Sequence, residues 1–379
     1  MRQLGAAKRG VIVTFVMKLP RLTAFARASL ALVPRPGRLF QDTSMVDRSV
    51  RVRARFPLAA ALGVMLAGSI GVGSALADPP AGCWAPADYS LAPGERTPRR
   101  ATAADHVSVP NAAAPGLPVL PPYAGVVRRV KLPDGVKLVA LTFDLCETGG
   151  QVAGYDGPIF DALRRANVPA TFFAGGKWLE THPTRAKQIA ADPLFQIGNH
   201  SWDHANLHID DLGKVRREIL TTETAIADAK VAAVAQCPAA TPVSHDRLFR
   251  FPYGTCSQAA LDSANAVGEI VIQWDVVSGD PADIGAAAIV ANVMRQVKPG
   301  SIIVMHANGN GKHTREALPL VIEKLRAAGY GFMTVSDLLH AGTPVTVPSC
   351  YIEHPGDTAV YDRKAAQKTS AVSHPGNAL

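Results

Sequence analysis

The sequence predicts an α/β fold built on a parallel sheet, open or closed into a barrel. Six apolar runs of strand length alternate with stretches of helical spacing over about 200 residues, the pattern that parallel strands joined by crossover helices produce. Polar residues able to carry chemistry stand where those runs stop, as they do when parallel strand ends open onto one face. A chain of 379 residues with 47% apolar content has material for one large core or two ordinary ones.

Residues 1–77 read as an export region. Arg51 to Arg55 is RVRAR, Phe56 to Val72 is nearly all apolar or small, and Ala75-Leu76-Ala77 precedes Asp78. A basic stretch, a short apolar stretch and an A-x-A site make a secretory signal cleaved after Ala77. The apolar run falls short of the roughly 20 residues that a membrane span needs, so no stable span is expected after processing. Because 50 residues precede the basic cluster, Met45 is the expected initiator. The region holds 12 Lys and Arg against 2 Asp, +10 of a total of +8, which leaves residues 78–379 near −2. The basic balance therefore belongs to export and gives no reason to expect a nucleic-acid partner. The expected location is periplasmic or extracellular. PPAGC, ending at Cys83, only loosely resembles a lipid-attachment site, because it lacks the aliphatic residue.

Residues 78–134 are rich in Ala and Pro without sustained periodicity and are expected as an extended linker or a strap over the domain surface. The domain proper is expected over 135–342. Its strand runs are VKLVALTF (136 to 143), PATFFA (169 to 174), FQIGN (195 to 199), RLFRF (247 to 251), EIVIQW (269 to 274) and SIIVMH (301 to 306). Helical spacing marks Ile159 to Ala166, Arg185 to Ala191, Leu212 to Ala229, Ala282 to Val297 and Glu316 to Ala328. No internal repeat and no glycine-rich phosphate loop appears. Residues 343–379 are expected as a polar, partly disordered tail. No heptad or apolar stripe speaks for a particular oligomeric state.

All five cysteines follow the cleavage site, in a compartment that permits disulfides. Cys237 with Cys256 and Cys83 with Cys350 are the expected pairs, leaving Cys146 as the single thiol.

The strand ends supply the chemical groups: Asp144, His200, Arg250, Trp274 with Asp275, and His306. GNHSWDHANL places His200 and His204 four residues apart, a spacing that sets two imidazoles on one side of a helical turn, where they can share a divalent cation such as zinc. The bland alternative is a pair of surface or capping histidines, and His208 reads as a solvated neighbour. A third ligand and a base are then needed, with Asp144 and Glu147 as the carboxylate candidates. RFPYG (250 to 254) offers a guanidinium beside a turn whose N–H groups can face an oxyanion, or it is a structural turn. His306 reads equally as a general acid or as a satisfied core histidine. Together the groups describe metal-assisted hydrolysis of an acyl group.

The ordered motifs LTFD, HSWDH, RFPY, WDVVSGD and IIVMH resemble those of the polysaccharide deacetylases, the NodB-homology or carbohydrate esterase 4 family, over roughly Lys137 to His340. The resemblance implies a distorted (β/α) barrel of about seven strands that removes N-acetyl groups from N-acetylglucosamine polymers such as chitin, peptidoglycan or poly-N-acetylglucosamine. It implies Asp144 as base, His200 and His204 as metal ligands, and Arg250 as the group orienting the base. Tyr253 is implied as the oxyanion donor through its backbone N–H, Asp280 (or Asp275) as the aspartate tuning the acid, and His306 as the acid. Two positions depart from the family. Leu145 stands where the family has its third metal ligand, an aspartate, and Pro281 where it often has tryptophan. Glu147 reaching back is the expected replacement ligand, with Cys146 as a thiolate or a metal-free site as the other readings. The alternatives in function are a same-fold amidase acting on a small non-sugar amide and an inactive glycan-binding protein.

Overall fold

Run after run of β-branched and aromatic residues, too continuous for a sheet with a wet face, requires strands covered on both sides, and the fold supplies that cover. The computed structural model describes residues 83–240 and 246–364. The export region expected over 1–77 and the last part of the tail, 365–379, lie outside the described residues. Ten strands form one sheet: β1 Val126–Lys131, β2 Leu138–Leu145, β3 Ala170–Ala174, β4 Phe195–Asn199, β5 Leu248–Phe249, β6 Ile270–Ile272, β7 Val276–Val277, β8 Ile302–His306, β9 Gly331–Phe332 and β10 Thr343–Val347. Their order is β10-β1-β6-β5-β4-β3-β2-β8-β7, with β9 paired to the start of β2. Every pairing is parallel except β10 with β1.

The sheet curls almost into a barrel. β6 pairs with β5 and β1, yet only Gln273–Asp275 separates it from β7, which pairs with β8 at the other end of the order. One run of chain thus touches both ends of the curl. Helices cover the outside: α1 Gly157–Ala166, α2 Gly176–Thr181, α3 Pro183–Ala191, α4 Leu212–Gln236, α5 Gln258–Ala266, α6 Gly285–Gln296 and α7 Thr314–Ala327; α8 Val335–His340 instead packs Val335, Leu338 and Leu339 with the inner-facing strand residues.

Strand alternation sorts the side chains into two layers. Leu141, Phe143, Leu145, Ala170, Phe172, Ile303 and Met305 point to the helices and join one core cluster, within which Phe143, Phe160 and Phe172 stack at 4.5 to 5.3 Å. Ala140, Phe173, Ile302 and Val304 belong to a second cluster, on the inner side of the curl. Successive residues of a strand face opposite ways. Asp144 and Cys146 therefore open toward the inside, while Leu145 between them is fully buried in the outer core.

Residues 83–125 run as a strap on the barrel. Arg185 of α3 grips it, donating to both carboxylate oxygens of Glu95 at 2.6 and 2.8 Å and to the carbonyls of Asp88 and Ser90, each at 2.7 Å. Two elements fall where the sequence suggested linker and tail. β1, inside the expected linker, is a sheet strand, and β10, inside the expected tail, pairs with it. β1 escapes the pattern because VVRRVK carries Arg128 at a buried position, where its guanidinium donates to the carbonyls of Tyr351 and Ile352 at 2.6 and 3.0 Å.

The disulfides correct the expected pairing. Cys83 joins Cys237, and Cys256 joins Cys350. Each bridge ties one flanking segment to the barrel, rather than one flank to the other: Cys83 of the 83–125 strap meets Cys237, which caps α4, and Cys350 of the segment 348–364 meets Cys256, which follows the RFPYG turn. Cys146 is the free, buried thiol. The Cys256–Cys350 bridge spans a sequence separation of 94, so replacing both cysteines by serine is expected to lower stability by about 2–5 kcal/mol in urea unfolding. Peptide mapping without reduction should recover these two linked pairs, and any other pairing would contradict the strap arrangement.

Candidate active site

The register of β2 and β8 sets the site. Asp144 and His306 are directly opposed residues of adjacent parallel strands, so a carboxylate and an imidazole leave the sheet side by side. Both line a cavity of about 570 Å³ at the C-terminal strand ends. His200 follows β4, Arg250 follows β5, and Asp280 follows β7, each brought in by the same parallel arrangement.

Asp144 is held by Arg250, whose Nη1 donates to Oδ1 at 2.6 Å. The guanidinium is fully buried, lies 3.9 Å over the Phe173 ring, and points its remaining N–H groups at the carbonyls of Ile272 and Gln273. Burial opposes ionisation of Asp144, but the charges of Arg250, His200 and His306 outweigh it and hold its carboxyl below the ordinary range. The base expected at this position is thus kept as carboxylate.

His306 has the opposite environment. Its Nδ1 meets Asp280 Oδ1 at 3.0 Å, and its backbone N–H donates to Asp280 Oδ2 at 2.7 Å. Thr314 and Ser278 hydroxyls donate to the same carboxylate. Burial works against a charged ring, yet the Asp280 carboxylate outweighs it and raises His306 well above the usual histidine value. Asp275, the alternative partner, sits at the other end of β8 instead, accepting from Ser301 Oγ and Ile302 N–H near Lys298. His306 is therefore a charged, partnered histidine facing a cavity and not a satisfied core residue.

His200 and His204 do meet, with ring centroids 5.0 Å apart. Their proximity does not come from the expected helical turn. The segment after β4 is a loop in which Ser201 and His204 both take left-handed backbone, at φ 64° and 56°. Glu218 of α4 pins that loop by accepting the N–H groups of Trp202 and Asp203, at 2.9 and 3.2 Å. Burial, with the neighbouring Asp203 charge, pushes Glu218 up to about 7. His200 Nδ1 lies 2.9 Å from the Arg250 carbonyl. A carbonyl can only accept, so Nδ1 carries a hydrogen, and Nε2, 3.7 Å from Asp144 Oδ2, is the nitrogen that a cation would take in place of a proton. His208, expected as solvated, is buried between Thr255 Oγ1 and Asp362 Oδ1, at 2.7 and 2.8 Å.

Glu147 does not join the histidines. Its carboxylate is fully buried on the far side of the chain, accepting from Ala153 N–H at 2.8 Å and from Thr181 Oγ1 at 3.0 Å, and facing Lys177 Nζ at 3.3 Å. Among the described residues, two groups of potential metal-ligand atoms lie within 4.8 Å of one another: Cys146 with His200 and His204, and Asp144 with Cys146 and His306. Imidazole and thiol donors fit the divalent cation that the sequence led us to expect. This corrects the expectation for Glu147, whose longer side chain turns into a structural network instead.

Tyr253 stands at the rim, about half exposed, with φ 60° and ψ 7°. Left-handed backbone costs a non-glycine residue about 1–2 kcal/mol, and such strain gathers at ligand sites. The following Gly254, φ 66°, packs where a Cβ would meet Trp274 and Ile352 at 3.0 to 3.2 Å. Ile352, Lys312, Asn310, Thr148 and Gln151 also line the cavity and were not singled out from the sequence. For Ile352 the available signal was Cys350, which marks the tail as tied down.

A profile of the polysaccharide deacetylase family matches residues 131–270. A chitooligosaccharide deacetylase of Bradyrhizobium sp. (strain ANU 289) is 30% identical over 192 residues, 49% of this chain and 77% of the relative. A peptidoglycan-N-acetylglucosamine deacetylase of Bacillus cereus is 29% identical over 212 residues, 55% of this chain and 91% of the relative. The crystal structure of the Bc1960 peptidoglycan N-acetylglucosamine deacetylase has a TM-score of 0.49 at 27% identity, covering 57% of this chain and 94% of that one. The chain belongs to the polysaccharide deacetylase family and is a hydrolase acting on carbon–nitrogen bonds other than peptide bonds.

Proposed function

We propose that the protein removes N-acetyl groups from an N-acetylglucosamine-containing polysaccharide, of the chitin-oligomer, peptidoglycan or poly-N-acetylglucosamine type. The observation that carries the reading is the opposed pair Asp144 and His306, one held as carboxylate by Arg250 and the other held protonated by Asp280, on the wall of one cavity. A base and an acid whose environments push their pKa values apart are what hydrolysis of an amide needs. The relatives' named substrates supply the glycan.

Asp144 accepts a proton from the attacking water, and Arg250 keeps the carboxylate ionised and aimed. The Tyr253 N–H, in its strained turn, receives the charge that develops on the acyl oxygen. His306 gives its Nε2 proton to the amine nitrogen as the C–N bond breaks, leaving acetate and a free amino sugar, while Asp280 stabilises the imidazolium beforehand. His200 and His204 would hold a divalent cation, zinc by donor type, which when bound supplies Lewis acidity toward water and the acyl oxygen. The half-exposed Tyr253 ring offers a flat surface for sugar, and the largely buried Trp274 lines the cavity wall beside it. Two disulfides within one fold, with the signal pattern of residues 51–77, support export to the periplasm or exterior.

His306→Ala is expected to lower kcat by roughly a hundredfold to ten-thousandfold, with binding of N-acetylglucosamine oligomers retained; acetate release at an unchanged rate would remove His306 as the acid. The Asp280 carboxylate raises the pKa of His306, and the acid form is lost as pH rises through that value. The alkaline limb of the rate profile should therefore lie above the usual histidine range, and Asp280→Asn should move it to lower pH. Arg250→Ala strands a buried carboxylate and is expected to cost about 3–5 kcal/mol in unfolding free energy. Adding Asp144→Ala should recover part of that loss, whereas simple additivity would show that the two groups do not act as a pair.

A further inference from the structure

We propose that Cys146 is the third protein ligand of the cation held by His200 and His204, making a thiolate and two imidazoles the donor set where the family pattern has an aspartate. The inference rests on the reading that the histidine pair binds a metal.

Four observations carry it. Strand alternation directs Asp144 and Cys146 into the cavity and Leu145 outward into the core beside Leu141 and Phe143. The Leu145 side chain therefore does not occupy the ligand position; its neighbour does. Cys146 Sγ lies 3.5 Å from His200 Nε2, the ring nitrogen not tied to the Arg250 carbonyl, and its ligand atom lies within 4.8 Å of those of both histidines. Its backbone is fixed as well, since Asn308 Nδ2 donates to the Cys146 carbonyl at 2.6 Å. Finally, the competing carboxylate of Glu147 is engaged by Ala153, Thr181 and Lys177.

The other cluster shares the thiol with Asp144 and His306. There, however, Asp144 is bound by Arg250 and the His306 ring by Asp280, so two of its three members already have charged partners. Among the described residues, the only such contact in the histidine pair is the looser one between His200 Nε2 and Asp144 Oδ2, at 3.7 Å. A thiolate beside imidazoles favours zinc or cobalt over the oxygen-seeking magnesium and calcium.

The chain has five cysteines, and four are in disulfides, so any thiolate signal in the oxidised protein comes from Cys146. The test uses the full chain with its disulfides intact, stripped by chelation and reloaded with Co²⁺ or Zn²⁺. Cobalt loading should produce a sulfur-to-cobalt charge-transfer band in the near ultraviolet. Cys146→Ser should abolish that band and weaken zinc binding by more than about a hundredfold, beyond what outer-shell changes cause, with the far-ultraviolet circular dichroism unchanged. Glu147→Gln should keep both the band and the affinity. Cobalt bound without a sulfur band, zinc bound equally well by Cys146→Ser, or metal lost in Glu147→Gln or His306→Ala but not in Cys146→Ser would each overturn the assignment. So would a wild-type chain that takes up neither metal. Acetate release from N-acetylglucosamine oligomers, measured on the same samples, reports separately on the deacetylase reading.

Discussion

The site depends on one buried ion pair. Arg250 enters from the end of β5 and meets Asp144 at the end of β2, across the mouth of the curled sheet. A guanidinium with no solvent contact must find acceptors for every N–H. Here each of its three nitrogens finds one acceptor, in Asp144 or the carbonyls of Ile272 and Gln273, while Phe173 and Trp274 cover its faces. That one cation ties β2, β5 and the β6 end together, and its own carbonyl fixes the tautomer of His200. Removing the guanidinium would leave a carboxylate and two backbone carbonyls without the group that orders them. Stability and chemistry are thus written into the same contact, which is weak as a net source of stability but strong as a constraint on geometry.

The acid half is built by the same logic with opposite sign. Asp280 accepts from a backbone N–H, two hydroxyls and the His306 ring, a set of donors that stabilises its charge and, through it, the imidazolium. Asp144 is surrounded by positive groups and His306 is backed by a negative one. The difference arises from which strand end each occupies, since both leave the sheet at one register level.

Much of this was legible in the sequence. The six apolar runs mark strands to within a few residues, because central parallel strands must be apolar on both faces and show it. β1 and β10 were not legible: they form an antiparallel edge pair, and Arg128 at a buried position breaks the pattern that would reveal a strand. The residues of the site were legible as strand-end polar groups, but their conformations were not. His200 and His204 come together through two left-handed residues pinned by Glu218, a long-range interaction that local spacing cannot show. The role of Glu147 failed for a related reason. A side chain long enough to reach the metal is also long enough to reach Ala153 and Thr181, and a fully buried carboxylate goes where donors are.

The cavity owes part of its shape to chain outside the family-matching stretch. The profile covers the base, both histidines, Arg250 and Tyr253, whereas Asp280, His306 and the wall at Ile352 lie beyond residue 270. That wall is not a strand end at all. Arg128 and Trp274 both donate to the Ile352 carbonyl, at 3.0 and 3.1 Å, and the Cys256–Cys350 bridge anchors the segment two residues before it. The side chain that closes one flank of the groove is therefore positioned by a covalent tie, a buried arginine and a tryptophan N–H acting on a tail without regular structure there. The wall and the reacting groups meet at Trp274, which covers one face of Arg250 and holds the Ile352 carbonyl, so the flank of the groove is referenced to the same buried cation as the base.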